Sequence, residues 1–280
     1  MTNIIDGKKI AAEKEAKLTK EVAAFVAKYK VTPKLVAVMV GSNPASVLYV
    51  AKKEEAAKRV GIAFEKKVFG EKEKLQDICK YLETLSNDSS VHGIMVQLPL
   101  PGKLEQEDSK LKIITCIAPL KDVDGLTPQN LGLVQVGSPF YLPATVRGIM
   151  AIIEHLKLNL ENSNVTIVGG SDIVGKPLAL HLSNLGATVI LCRSRTKNLP
   201  IFTAQADILV SATGVPGMII EKMVKRGAVV IDVGSPKGDV DLKRVVEVAL
   251  AISPVPGGVG PLTVVSLLEN TFLAAKRQAA

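Results

Sequence analysis

The pattern that most constrains this 280-residue chain is the alternation of short apolar runs with longer segments of helical period. Lys9 to Lys28 spaces alanines, Leu18, Val22 and Phe25 along one helical face, and Leu35 to Val40 follows as a β-branched run ending at Gly41. Asn43-Pro44 supplies an N-cap and a proline for the first helical turn, opening a helix that runs to about Arg59 and stops before Gly61. Ala63 to Phe69, Lys72 to Thr84 and Gly93 to Leu98 continue the series as strand, helix and strand. Such alternation predicts an α/β fold on an open, largely parallel sheet.

Pro99, Pro101, Pro119, Pro128 and the stretch Pro139 to Pro143 interrupt the series and mark a domain boundary. Beyond it come helix Ala144 to Leu156, strand Val165 to Gly169, helix Gly175 to Leu185, and strands Ala187 to Cys192, Ala206 to Ala212 and Ala228 to Val233. That second series reads as a Rossmann-type unit. The sequence thus divides into domains 1–143 and 144–260, with the amphipathic end, 261–280, expected to pack back on the first.

Several function classes lose their material. The longest apolar runs fall well short of the ~18–20 residues needed to span a bilayer, and the N-terminus lacks the apolar core of a secretory signal. Neither a membrane partner nor export is expected, and the cytoplasm is the default. Cys79, Cys116 and Cys192 are odd in number with no C-x-x-C spacing, which argues against a disulfide framework or zinc and for buried thiols. His92, His155 and His181 form no metal-binding pattern, so no metal is expected. The net charge of +8 is compatible with nucleic acid or with small anionic ligands. Acids and bases interleave along Lys8 to Lys20 and Lys66 to Lys74, which reads as solvated helix faces and not as a nucleic-acid patch.

Two regions can carry chemistry. Gly169-Gly170-Ser171-Asp172-Ile173-Val174-Gly175 follows a buried strand and opens a helix, the arrangement that lets backbone approach a pyrophosphate at a helix N-terminus. Past the next strand stands Arg193-Ser194-Arg195-Thr196, where an NAD-binding chain tends to carry an acid; two guanidiniums and two hydroxyls suit a 2′-phosphate, favouring NADP. In the first domain Tyr49 and Lys53 lie four apart on one helix face, although the residues alone also fit Lys52 and Lys53 as surface lysines. Val96-Gln97-Leu98 ends an apolar strand at the edge where open α/β sheets bind ligands. Asp122 and Asp124 share a proline-flanked turn in which a carboxylate either orients a ligand or closes an Asx-turn. Pro254 to Pro261, containing Pro256, Gly257 and Gly258, reads as a loop shaped around a flat ligand.

These residues resemble the bifunctional methylenetetrahydrofolate dehydrogenase/methenyltetrahydrofolate cyclohydrolase family. The likeness runs through Ile5-Asp6-Gly7, the Tyr49-to-Lys53 helix, Val91 to Pro101, Lys121 to Gly125, Gly169 to Pro177, Ile231 to Gly234 and Pro254 to Thr263. The resemblance implies an N-terminal folate-binding catalytic domain and a C-terminal Rossmann domain for NADP, with a folate cleft between them, in a homodimer of one-carbon metabolism. It implies Lys53 as the general acid/base of the hydrolytic step, Gln97 holding and tuning it, Tyr49 ordering the folate and Asp124 gripping the pterin. Val96, Leu98, Pro256, Gly257 and Gly258 would complete the folate site. Gly169, Gly170, Ser171, Val174, Gly175, Arg193, Ser194, Arg195 and Ser235 would hold the dinucleotide. The chain departs from the family pattern at Gly170, where Arg is common, at Arg193, where His is common, at Ser235-Pro236 in place of Ile-Asn, and at Val146 in place of proline. The phosphate grip would then fall to Arg193, Ser194 or Arg195. The other readings are a dehydrogenase with weak or absent cyclohydrolase activity or a preference for NAD, another two-domain dehydrogenase acting on a small acid, and a non-catalytic basic module binding dinucleotides or nucleic acid.

Overall fold

The computed structural model describes residues 2–279. Its strands are β1 (Asn3–Ile4), β2 (Lys34–Val40), β3 (Ala63–Phe69), β4 (Gly93–Val96), β5 (Asn164–Val168), β6 (Thr188–Cys192), β7 (Ile208–Ser211), β8 (Val229–Asp232) and β9 (Ala251–Ile252). Its α-helices are α1 (Gly7–Tyr29), α2 (Pro44–Val60), α3 (Leu75–Asn87), α4 (Glu107–Thr115), α5 (Pro128–Gln135), α6 (Ala144–His155), α7 (Gly175–Asn184), α8 (Leu199–Thr203), α9 (Leu242–Val245) and α10 (Val259–Gln278).

The chain forms two compact units. One contains Glu13–Gly132, Pro139–Ala144 and the stretch from Val264 on. Its three-stranded sheet runs β3-β2-β4, parallel throughout. The central strand β2 is buried on both faces, which explains its unbroken apolar sequence. Leu35, Ala37 and Met39 meet Leu18, Val22 and Phe25 of α1 and Leu267, Leu268 and Phe272 of α10. The intervening Val36, Val38 and Val40 face Ile78 and Leu82 of α3 and Ile113 of α4. The two-residue period of one strand therefore builds two apolar layers.

The other unit holds the stretch up to Ala12, Leu133–Ser138 and Thr145–Thr263. Its six-stranded parallel sheet has the order β1-β9-β8-β7-β5-β6. β5 lies between β6 and β7, so the strand order reverses direction there, and the open C-terminal edge at such a switch point is where doubly wound sheets bind ligands.

Three expectations require correction. The boundary at 143 assigned the N-terminus to the first domain; Asn3 and Ile4 instead pair with Ala251 and Ile252, because a two-residue strand finds its backbone partners on the open edge of β9. The cysteines are not all buried thiols. Cys79 on α3 and Cys116 just past α4 are half-buried and joined as a disulfide, Cys192 alone being a free buried thiol. A separation of 37 residues carries no spacing signal; the packing of α3 on α4 makes the pair. The helix expected from Lys72 starts at Leu75, because Glu73 N–H donates to Gly70 O and turns the chain first.

Candidate active site

The first site is assembled on α2 and at the end of β4. Asn43 caps α2 as its residue type dictates, its Oδ1 accepting from Ala45 N and Ser46 N, with Pro44 in the first turn. Gly61 ends the helix in a left-handed conformation at φ 80°. Between these ends the buried stripe runs Ser46, Val50, Lys53, Ala57 and Val60, so helical phase turns Lys53 inward while Lys52 stays exposed. The reading of both as surface lysines is thereby corrected for Lys53, which is only 8% exposed.

Lys53 Nζ donates to Gln97 Oε1 at 2.9 Å and lies 3.5 Å from Met95 Sδ. Gln97 is fixed in turn by donating from Nε2 to Leu98 O at 2.6 Å and from its backbone N–H to Val38 O. Burial pushes the Lys53 amine below its ordinary pKa, and the nearby Asp124 carboxylate opposes that shift. Burial likewise raises Asp124, with Lys53 drawing it down and Asp122 adding to the rise. Asp124 retains some solvent contact as a residue, yet protein surrounds its carboxyl densely enough for desolvation to dominate.

Lys121 shows why burial alone does not identify a working amine. It is also 8% exposed and its pKa is also lowered by burial. Its ammonium, however, donates to Leu85 O and Asp88 O at the end of α3, a capping arrangement that uses its hydrogens structurally. Lys53 donates to an amide oxygen and a thioether, which leaves one of its three donors for a ligand.

The open choice between ligand binding and an Asx-turn in the 121–125 segment divides between its two acids. Asp122 closes the turn: Oδ1 accepts from Gly125 N and Leu126 N, and Oδ2 from Thr127 N and Asn130 Nδ2. Asp124 does not take part in that turn, and its charge is felt at Lys53. Tyr49 is half-buried on α2 with Lys52 Nζ 5.7 Å from its ring centre. Val96 is buried and Leu98 half-buried. Met95 and Asn130 were not singled out by sequence as parts of this arrangement, whereas Asp122 was one of the two acids expected to serve the turn or a ligand.

The second site lies at the C-terminal edge of β5 and β6 and is built largely from backbone. Gly169 has φ +124°, and a Cβ there would stand 2.2 Å from Ala212 O. A Cβ on Gly175 would stand 1.7 Å from Gly169 O, so α7 starts in direct contact with the turn. Ser171 Oγ accepts from Val174 N at 3.3 Å, and Lys176 pairs with Asp172. The aliphatic chain of Arg193 crosses Gly170, its Cγ 2.8 Å from where a Cβ would sit, so the missing side chain at 170 makes the room that Arg193 uses. Arg193, Ser194 and Arg195 are exposed on a turn closed by Thr196, whose Oγ1 accepts from Arg193 N. These features fit a dinucleotide: the N-terminus of α7 and two guanidiniums attract anions where glycines admit close approach. Ser235 is exposed beyond β8. Pro256, Gly257 and Gly258 belong to this unit, where Gly258 N donates to Pro254 O and a Cβ on Gly7 would lie 1.9 Å from Gly258 O. Among the described residues no group of three or more His, Cys, Asp or Glu could hold a metal ion, and no helix is long and apolar enough to cross a membrane.

Comparison with known proteins identifies both domains. Residues 5–124 match the catalytic domain of tetrahydrofolate dehydrogenase/cyclohydrolase, and residues 143–279 its NAD(P)-binding domain. The bifunctional protein FolD of Exiguobacterium sibiricum is 43% identical over 99% of this chain and all of its own length. The crystal structure of the bifunctional FolD dehydrogenase/cyclohydrolase from Campylobacter jejuni superposes with a TM-score of 0.93 at 38% identity, covering 99% of each chain. The Trypanosoma brucei methylenetetrahydrofolate dehydrogenase-cyclohydrolase, solved with NADP and an inhibitor, gives 0.94 at 33% identity over 99% of this chain and 98% of its own. A chain that carries both matched domains and likeness of this extent belongs to the tetrahydrofolate dehydrogenase/cyclohydrolase family.

Proposed function

We propose that this protein oxidises 5,10-methylenetetrahydrofolate with NADP and then hydrolyses the resulting 5,10-methenyltetrahydrofolate to 10-formyltetrahydrofolate. The observation that carries this reading is the buried Lys53 amine, held at 2.9 Å by Gln97 Oε1 and lowered in pKa by burial. When bound, NADP supplies the acceptor for the hydride that leaves the methylene carbon.

Loss of that hydride makes the one-carbon bridge a delocalised cation. Beside such a cation an ammonium is further disfavoured, in the same direction in which burial already moves Lys53, and this favours the amine as proton acceptor. As water attacks the bridge carbon, Lys53 Nζ takes the proton from the water. It then returns the proton to the folate nitrogen as that C–N bond opens, while the remaining hydroxyl proton leaves to solvent, so that a formyl group is left on the other nitrogen. Gln97 holds Nζ in place, because its own amide is pinned to Leu98 O. Asp124 accepts ring N–H donors of the pterin, and Tyr49 packs on the folate.

Gly169 to Gly175 take the pyrophosphate and Arg193, Ser194 and Arg195 the 2′-phosphate. The Arg193 chain lying across Gly170 supports NADP over NAD, since a guanidinium attracts the extra phosphate. The family resemblance further supports a cytoplasmic homodimer serving one-carbon metabolism. The test is absorbance at the reduced-nicotinamide band after mixing protein and methylenetetrahydrofolate with each dinucleotide in turn. Reduction of NADP is expected; reduction of NAD alone would overturn the cofactor assignment.

A further inference from the structure

The reading above leaves one fully buried carboxylate of the dinucleotide unit without a role. Asp239 has 0% exposure. Its Oδ2 accepts from Ser211 Oγ at 3.1 Å, Thr213 N at 2.6 Å and Gly214 N at 3.3 Å, while its Oδ1 is buried with no hydrogen-bond partner. Two of its three donors are backbone N–H groups of the loop after β7, so this buried carboxylate holds that loop from the core side.

The backbone of Asp239 is itself held from β8. Its N–H donates to Asp232 Oδ1, which also accepts from Gly234 N, and Asp232 Oδ2 accepts from Val240 N. Glycines make this possible: a Cβ on Gly234 would lie 2.7 Å from Asp239 Oδ1, and one on Gly238 2.5 Å from Asp232 Oδ2. Asp239 therefore reaches from the loop after β8 to the loop after β7. That second loop begins with Ala212, whose carbonyl presses on Gly169 and whose N–H donates to Val168 O. A continuous chain of hydrogen bonds and contacts links the end of β8, through two carboxylates, to the first glycine of the dinucleotide turn.

We propose that Asp239 is a positioning residue for the dinucleotide: it fixes Thr213 and Gly214 so that the loop after β7 forms the second wall of the site opened by Gly169. This inference rests on the assignment of Gly169 to Gly175 as the dinucleotide turn. The anchoring is electrostatic, two successive N–H groups converging on one carboxylate oxygen, and such charge-assisted bonds are about twice as strong as neutral ones.

The test compares wild type, Asp239→Ala, Asp239→Asn and Ser211→Ala by NADPH fluorescence titration and by methenyltetrahydrofolate hydrolysis without dinucleotide. Asp239→Ala should weaken NADPH binding at least tenfold while hydrolysis stays within twofold. Asp239→Asn, whose carbonyl can take the same N–H groups, should recover most of the affinity. If Asp239→Ala does not yield folded protein, Ser211→Ala decides the matter: NADPH binding two- to fivefold weaker supports the inference, and unchanged affinity overturns it. Unchanged affinity in folded Asp239→Ala, or equal loss of binding and hydrolysis, also overturns it. Wild-type protein that fails to bind NADPH would instead overturn the dinucleotide turn itself, a result distinct from wild type and variant binding equally.

Discussion

Gln97 follows the C-terminal end of β4 and Gly169 follows that of β5, so both sites use the same edge of a parallel sheet. They use it with different materials. In the three-stranded unit side chains make the candidate site: Lys53 donates to Gln97, and Lys53 and Asp124 influence each other where burial shifts both. In the six-stranded unit the backbone does it, with Gly169 and Gly175 in contact and arginines exposed at the rim. A side-chain site should lose one reaction step when one atom group is removed. A backbone site should lose binding and stability together when any bulk is added.

The largest effect expected from this contrast is Lys53→Met. Positioned acid/base groups contribute about 10²–10⁴-fold, so hydrolysis of methenyltetrahydrofolate should fall by that order, with much less change in NADP reduction or NADPH affinity. Normal hydrolysis by the purified variant would remove Lys53 from the mechanism. Gly175→Ala tests the opposite behaviour. Its Cβ would collide with Gly169 O, and overpacking of this kind costs about 1–3 kcal/mol, so melting temperature and NADPH affinity should drop together, the latter about thirtyfold. Full NADPH affinity in that variant would show that the turn is not part of the site.

Legibility in the sequence followed the same division. Asn43, Pro44 and Gly61 bounded α2 by local chemistry, and Gln97 was marked by its place after an apolar run. Lys53 was harder, because Lys52-Lys53-Glu54-Glu55 reads as a solvated face. Its phase with Ser46, Val50, Ala57 and Val60 was the available signal. β1 and β9 have two residues each, too few for periodicity, and their pairing depends on an edge that only the folded sheet creates. The Cys79–Cys116 pair and the Asp232–Asp239 relay are likewise products of packing between distant segments.

A smaller effect separates the two phosphate-binding elements. Arg193→Gln should raise the KM for NADP about tenfold, the loss of one charge-assisted hydrogen bond at an exposed position, and leave the KM for NAD little changed. Equal changes for both dinucleotides would move the 2′-phosphate contact elsewhere. The smallest effect is expected away from both sites. Arg59 makes a two-pronged, largely exposed pair with Glu15, and Arg59→Lys should cost less than about 1 kcal/mol in chemical denaturation. A larger loss would mean that the pairing of α1 with α2 supports the Lys53 pocket.

The central claim is that Lys53 carries a lowered pKa in the folded protein, and its sign has two consequences. The unfolded chain binds that proton below about 10.4, whereas the folded chain binds it only at lower pH, so between the two values stability rises with pH. Hydrolysis should correspondingly fall as pH drops through the folded value and the amine becomes charged. The most direct measurement is an NMR pH titration of lysines labelled at Cε, with the Lys53 signal assigned by its disappearance in Lys53→Met. The account predicts that this signal titrates below those of the exposed lysines, with a midpoint on the acid limb of the hydrolysis profile. Titration of Lys53 together with the exposed lysines would contradict it.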